Sequence, residues 1–380
     1  MNKVINMDFL ERINNDKEKI LQVFTTLHQT PELGFQEVKT SQFLAQKLHE
    51  AKFKVISNIN GTTGVMGILE GPEPGPVLAL RADMDALAFK INGKDVNIHA
   101  CGHDANSTMV LMAAGEIARI GIKRGTLKIL FQPAEEVLGG AEAMLASGLL
   151  DDVNEMLGIH LRPIQEAKLG QATPALCHGS SYIVTAKIKG LAAHGARPHL
   201  GINAIDGAAA IVNAVNAIKL NPAVPFSVKT TKLTAGGNAY NIIPDIAEMG
   251  FDLRAQTNTA MEQLITKTCN AIEKGAATVG AEAEVIIRGG VPGAEYDQGT
   301  IALAKKAIEA VLGEALGPVI TPGGEDFHYY STKGKIKTAY IGLGADLVPG
   351  LHHPEMKFNP EALVQGVKIL SYLVYERLIS

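Results

Sequence analysis

Short apolar runs of strand character in the first half of this chain keep ending on side chains that carry chemistry. The run 77–80 leads to Asp83 and Asp85, the run 127–131 to Gln132-Pro133-Ala134-Glu135-Glu136, and the run 156–159 to His160. A helix is expected over 107–119, between the first of these runs and the second. Strands alternating with helices fold into an α/β domain around a mainly parallel sheet, and such sheets gather their chemistry at the carboxyl ends of the strands. Ionisable or metal-binding groups delivered at the same end by successive strands constrain the fold and the site together.

The flanking segments fit that frame. Phe9, Leu10, Ile13, Ile20, Val23, Phe24 and Leu27 recur at helical spacing, which predicts one amphipathic helix over 8–29, closed by Pro31. A second helix is expected over 36–51, strands over 53–56 and 65–69, and a loop over 81–85. Beyond residue 180 the order becomes strand 182–188, helix 204–218, strands 226–233 and 246–253, helix 261–275 and strand 283–287. This is the β-α-β-β-α-β order of a ferredoxin-like unit, which can be inserted whole. A helix over 301–312, a strand over 338–342 and a helix over 360–379 then resume the α/β pattern. The expectation is a discontinuous α/β domain of residues 1–178 and 292–380, interrupted by an α+β insert at 179–291. A length of 380 residues suits two such domains.

Composition narrows the partners. Hydrophobic residues make up 46% and charged residues 19%, enough apolar material for a sizeable core. A net charge of −4 and a pI near 6.3 give no polyanion-binding signal, so nucleic acid is not expected as a partner. Met1–Asp8 has no apolar leader, and Asn213 and Asn216 interrupt the apolar run at 208–212, so neither a signal peptide nor membrane insertion is expected. The cysteines are Cys101, Cys177 and Cys269, too few for a disulfide framework, and a working thiolate favours a reducing cytoplasm.

The richest stretch is Ile98-His99-Ala100-Cys101-Gly102-His103-Asp104. In an extended segment, Cys101 and His103 leave the chain on the same face and can point at one metal, while Asp104 is placed to cap the next helix. Alone, such a pair is more often a structural turn; the matching groups after the other strands make it a ligand candidate. Of the adjacent Glu135 and Glu136, one carboxylate can ligate a metal while its neighbour handles a proton. In the insert, the loop 193–199 holds His194 and His199, the stretch 236–244 is turn-rich, and Arg254 ends a strand. Near the end of the chain, Gly324-Glu325-Asp326-Phe327 and Leu351-His352-His353-Pro354 stand out, and the late histidines could complete a ligand set.

Taken in order, these motifs resemble the M20 metallopeptidase family over nearly the whole chain. The likeness rests on Arg81-Ala82-Asp83-Met84-Asp85, His99 to Asp104, Gln132 to Glu136, Gly158-Ile159-His160, His194-Gly195-Ala196-Arg197-Pro198-His199, residues 236–244 and the two late motifs. The branch it is most similar to is subfamily D, the aminoacylase, hippurate hydrolase and auxin-conjugate hydrolase group, and within it the bacterial AmhX-type amidohydrolases. The resemblance implies two divalent metal ions, manganese or zinc with cobalt or nickel as alternatives. Cys101 would bridge them, His103 and His160 would hold one, and Glu136 and His352 the other. Glu135 would be the general base, with Asp83, Asp85 and Asp104 supporting the site. The insert would be a lid that also forms a homodimer. His194 would reach into the partner's active site, and Asn241 and Arg254 would bind the substrate's carbonyl or carboxylate. The implied reaction is hydrolysis of N-acyl amino acids or small amide conjugates.

Two departures bear on the pocket. Ala88-Phe89 and a short 90–97 segment replace a proline and a longer loop, and Asn106 stands where a histidine is common. A dipeptidase or aminopeptidase of the same fold is the main alternative, and a non-catalytic dimeric binding protein a further one.

Overall fold

The computed structural model describes residues 8–321 and 323–380. The leader reading of residues 1–7 lies outside the described residues. Among the described residues, no helix is long and apolar enough to cross a membrane. The chain divides into two compact units. The first comprises everything described up to Cys177, with Glu295–Val319 and Asp326–Ser380; the second comprises His178–Ala294 with Ile320–Glu325. The segment around residue 321 goes with the insert because Gly179 donates its backbone N–H to the Thr321 carbonyl.

The first unit is built on a seven-stranded sheet, ordered Lys54–Ser57, Val65–Glu70, Arg124–Gln132, Glu73–Asp83, Glu155–Pro163, Lys337–Leu347 and Ala172–Thr173. The four central strands run parallel to one another, while Val65–Glu70 and the edge strand Ala172–Thr173 pair antiparallel with their neighbours, which makes the sheet mixed but mainly parallel. Side chains alternate across a strand, and here the alternation sorts two kinds of interior. One face presents Leu78, Leu80, Ala82, Leu127, Ile129, Phe131, Leu157, Ile159, Leu161, Ile341 and Leu343. These pack with Met109, Val110, Ala113 and Ile117 of helix His103–Ile120 and with Leu363, Val367, Leu370 and Val374 of helix Glu361–Leu378. The other face is buried but polar, carrying Arg81, Asp83, Gln132, His160 and Tyr340. Gly158 belongs to this second face, because a Cβ there would run into the Tyr340 ring.

Arg81 organises that polar face. Its guanidinium, fully buried, bonds Asp83 through Nη1 at 2.6 Å, Asp326 through Nη2 at 2.7 Å, Gln132 through Nε at 2.9 Å and the Tyr340 hydroxyl at 3.2 Å. Gln132 in turn donates to both Asp326 oxygens at 2.9 Å and accepts from the Tyr330 hydroxyl at 2.8 Å. Buried polar groups on this scale persist only when mutually satisfied.

Several local expectations are corrected. The 8–29 helix is two helices, Asp8–Asn15 and Lys17–His28. Asp16 between them has non-helical backbone, and its carboxylate is held by Lys19 and Arg119. Arg81 to Asp83 end a strand instead of forming a loop, and His160 lies within its strand instead of after it. The short segment after Phe89 is a hairpin, Leu87–Ile91 paired with Lys94–Ile98. Its turn is Asn92-Gly93, both at positive φ, the two-residue turn whose twist matches the strands.

The second unit pairs four antiparallel strands in the order Phe226–Ala235, Ile246–Ala255, Ser180–Lys189, Glu282–Val291. Helices Ala204–Asn216 and Asn258–Ala277 contribute Ala208, Ile211, Leu264 and Ile272 to a core with Val184, Ile188, Phe251 and Leu253 of the sheet. Both helices start on a side-chain cap, Asn203 accepting from Ile205 N and Thr257 from Ala260 N. The first and third strands of the unit are central, the ferredoxin-like arrangement.

Candidate metal centre

The ligand-type side chains of the first unit converge at the carboxyl ends of the parallel strands. Cys101 comes just after the hairpin, and Gly102, with φ of 86°, turns the chain sharply into helix His103–Ile120. The segment is therefore not extended, and Asp104 is inside the helix instead of capping it; the left-handed turn at Gly102 brings Cys101 and His103 together. Cys101 Sγ lies 3.5 Å from His160 Nε2, and the His103 and His160 rings meet edge to face at 5.7 Å.

Each imidazole is oriented from behind. His103 Nδ1 bonds Asp85 Oδ1 at 3.0 Å, and His160 Nδ1 bonds the Leu161 carbonyl at 2.8 Å. Nδ1 is the donor in both pairs, which leaves the Nε2 lone pairs facing the centre, the usual way a protein fixes a ligating histidine. Asp85 is doubly engaged, since its other oxygen accepts the Glu136 backbone N–H at 3.0 Å. His352, with φ of 61°, is docked by its own N–H on the Ala100 carbonyl at 2.6 Å, and its Nε2 lies 3.4 Å from Glu136 Oε1.

The ligand atoms fall into overlapping groups, each within 4.8 Å: Cys101, His103 and His160; Cys101, Glu136 and His352; and His103, Glu135 and Glu136. Cys101 is common to the first two, the position a bridging ligand must hold. His103 Nε2 and Glu136 Oε1 are buried without a hydrogen-bond partner among the described residues, and His103 Nε2 is 3.9 Å from Glu135 Oε2. Orphaned acceptors facing a thiol fit a cation. Thiolate, imidazole and carboxylate together suit zinc or manganese, and also cobalt or nickel.

Electrostatics divide the ligand groups: against burial, the neighbouring Cys101 and the hydrogen bond to Asp85 hold His103 well above the usual imidazole value, so a cation would have to displace its proton. Burial, with Arg162 and His103 nearby, holds the His160 pKa well below the usual imidazole value, so the ring stays neutral. Burial pushes the Cys101 thiol up, and a cation would be needed to hold it as thiolate. The close approach of His352 to Cys101 and Glu136 favours its protonated form and raises it to about 10, against partial burial.

The remaining candidates take other places. Asp83 is paired to Arg81, and Asp104 bonds His28 Nδ1 at 2.6 Å; neither joins the three ligand groups. Asn106 is buried with neither amide atom partnered among the described residues. In the second unit, His194 pairs with Ile242 in a two-stranded ribbon, and Gly195 N donates to the Asn241 carbonyl at 2.7 Å, so His194 and Asn241 neighbour each other. Ala196 N donates to His194 Nδ1 at 3.1 Å, leaving Nε2 as the outward nitrogen. Arg254 is not with them. It pairs with Ser181 where the chain enters the unit, whereas the ribbon comes after Lys189 at the far end of the same strand. The eight residue steps of strand from Ile246 to Arg254 span roughly 26 Å. Sequence reasoning missed Glu37 and His28 as supports, since nothing in their periodicity marks them, and it placed Gln132 and Asp326 in motifs without their pairing to Arg81.

Residues 79–376 match peptidase family M20/M25/M40. Over 362 residues the chain is 31% identical to an N-acetylcysteine deacetylase of Bacillus subtilis, with 91% of this chain and 93% of that protein covered. It is also 31% identical over 373 residues to a hippurate hydrolase of Campylobacter jejuni, covering 93% of this chain and 94% of the relative. A solved Bacillus subtilis structure, described as a dinuclear metal-binding peptidase from the M20 family, matches with a TM-score of 0.81 at 29% identity, covering 96% of this chain and all of that one. With the match spanning most of the chain, the protein is a member of peptidase family M20/M25/M40.

Proposed function

We propose that this chain is a metal-dependent amidohydrolase that cleaves the amide bond of N-acyl amino acids or related small amide conjugates. The observation that carries this reading is Cys101, shared by two ligand groups that adjoin Glu135. The relatives' names, a deacetylase and a hippurate hydrolase, favour an acyl–amino acid substrate, and the dinuclear neighbour favours two divalent ions. Cys101 would bridge those ions, with His103 and His160 on one and Glu136 and His352 on the other. Once bound, they would polarise the scissile carbonyl and make water acidic enough to attack at neutral pH.

The chain's own residues do the rest. Glu135 accepts the proton of the attacking water and returns it to the leaving nitrogen. His194, its Nδ1 already taken by the Ala196 amide, offers Nε2–H to the developing oxyanion, a contribution of roughly 2.7–4 kcal/mol for such donors. Asn241 orients the carbonyl, and Arg254 holds the substrate carboxylate as a bidentate pair. Because His194 and Asn241 stand at one end of the insert's sheet and Arg254 at the other, a single insert is poorly placed to supply all three to one substrate. This supports a homodimer formed through the insert, in which His194 of one chain and Arg254 of the other serve the same substrate. A thiolate ligand also fits a reducing cytoplasm.

The test is reconstitution of metal-free protein with manganese, zinc, cobalt or nickel and a screen of N-acyl amino acids. Glu135→Gln is expected to lower turnover by roughly 10²–10⁴-fold with bound metal unchanged; wild-type turnover in that variant refutes the assignment.

A further inference from the structure

The turn that carries Glu135 is held in a backbone conformation its sequence does not favour. Ala134 has φ of 57°, the left-handed region that disfavours residues with a Cβ. Its carbonyl accepts from Gly139 N at 3.3 Å and Gly140 N at 3.2 Å, and Leu138 N bonds the Glu135 carbonyl at 2.8 Å, so residues 134–140 form one compact unit. Two buried carboxylates from distant parts of the chain grip it. On one side, Asp85 accepts the Glu136 N–H at 3.0 Å. On the other, Glu37, from the segment preceding helix Val38–Glu50, accepts the Ala134 N–H through Oε1 at 2.8 Å. Glu37 has no exposed surface, and its second oxygen is bonded by the Thr63 hydroxyl. Strained backbone of this kind persists only where its surroundings over-determine it.

We propose that Glu37 is a positioning residue: its carboxylate fixes the Ala134 peptide in the left-handed turn, which aims Glu135 and thereby sets turnover without touching metal or substrate. The proposal rests on the reading of Glu135 as general base. Asp85 also orients His103, so its loss would disturb a metal ligand as well; Glu37 acts on the turn alone, and this is what makes it separable.

The experiment compares Glu37→Ala and Glu37→Gln in the full-length, metal-reconstituted protein. Bound metal, kcat and KM for an N-acetyl amino acid, and amide hydrogen exchange of the peptide covering 134–140 are measured. A misplacement of about 1 Å at a catalytic group lowers rates by about 10²-fold. Glu37→Ala is therefore expected to lose about that factor in kcat, with KM and bound metal close to wild type and faster exchange confined to 134–140. Glutamine keeps an acceptor for Ala134 N, and the Thr63 hydroxyl can turn to accept from its amide, so Glu37→Gln is expected to restore both kcat and protection. Wild-type kcat and exchange in Glu37→Ala, or a Gln variant as impaired as the Ala variant, overturns the proposal. Should Glu37→Ala not fold, Thr63→Val removes only the brace on Glu37; faster exchange at 134–140 supports the proposal and unchanged exchange overturns it. If the wild-type protein hydrolyses no N-acyl amino acid, the functional reading fails, and the exchange measurements still decide whether Glu37 holds the turn.

Discussion

Replacing Arg81 by Met would leave Asp83 and Asp326 buried without their shared counter-charge. Both carboxylates and the guanidinium are fully enclosed, with Arg81 Nη2 at 2.5 Å from Asp83 and 2.7 Å from Asp326. Removing one partner of a buried ion pair costs about 3–5 kcal/mol, because the charge left behind stays desolvated. Methionine fills part of the volume but offers nothing to Gln132 Oε1 or the Tyr340 hydroxyl, so the upper half of that range is expected. At about 2–4 °C per kcal/mol for a domain of this order, the melting temperature should fall by roughly 8–20 °C in differential scanning calorimetry. Adding Asp326→Asn removes one stranded charge while keeping an acceptor for Gln132 Nε2 and Ala141 N. The double variant should recover about 1–2 kcal/mol relative to the sum of the single changes. An Arg81→Met protein melting within a degree or two of wild type would refute the idea that this network is held together by charge.

The geometry makes two further outcomes measurable. If each site draws Arg254 from one chain and His194 from the other, His194→Ala and Arg254→Ala proteins, each inactive alone, should complement when unfolded and refolded together. Random pairing places one intact site on half of the dimers and yields roughly a quarter of wild-type activity; no recovery speaks against a shared site. His28 is held more basic than a free imidazole by its hydrogen bond to Asp104, against burial and helped by the Asp104 charge. The folded state thus favours protonated His28, so the stabilisation is fully present below about pH 6.5 and fades as pH rises through the elevated folded value. The melting-temperature gap between wild type and His28→Asn should be widest near pH 6 and close on the alkaline side; a gap that grows with pH contradicts this pairing.

Strand-then-ligand phasing was legible because buried parallel strands are apolar runs, and the residues just after them in a sheet of this kind emerge at one end. The insert was legible for a related reason, since its strands and helices come in an order few folds share. The features that escaped were decided by tertiary partners. Strand Glu73–Asp83 begins at Glu73, behind a Pro74-Gly75-Pro76 stretch that reads as a turn, and its end is ruled by Arg81, whose charge argues for loop until its partners at residues 132, 326 and 340 are in place. Asn92-Gly93 was a readable hairpin signal that the short length of 90–97 concealed. Glu37 and His28 carry no local mark at all, because their roles depend on Ala134 and Asp104, which lie 97 and 76 residues further along the chain.

The unequal faces of the central sheet bear on how this chain can drift. On one face, Leu, Ile and Val can trade places at modest penalty so long as volume is kept. On the other, Arg81, Gln132 and Tyr340 interlock, and a swap at one is felt at the rest. Because neighbouring positions along a strand belong to opposite regimes, a single-codon deletion between Leu78 and Asp83 would thrust greasy side chains among the wired ones and the wired ones into grease. Length within these strands should therefore be the most rigidly inherited property of the enzyme, more so than the identity of any one aliphatic residue.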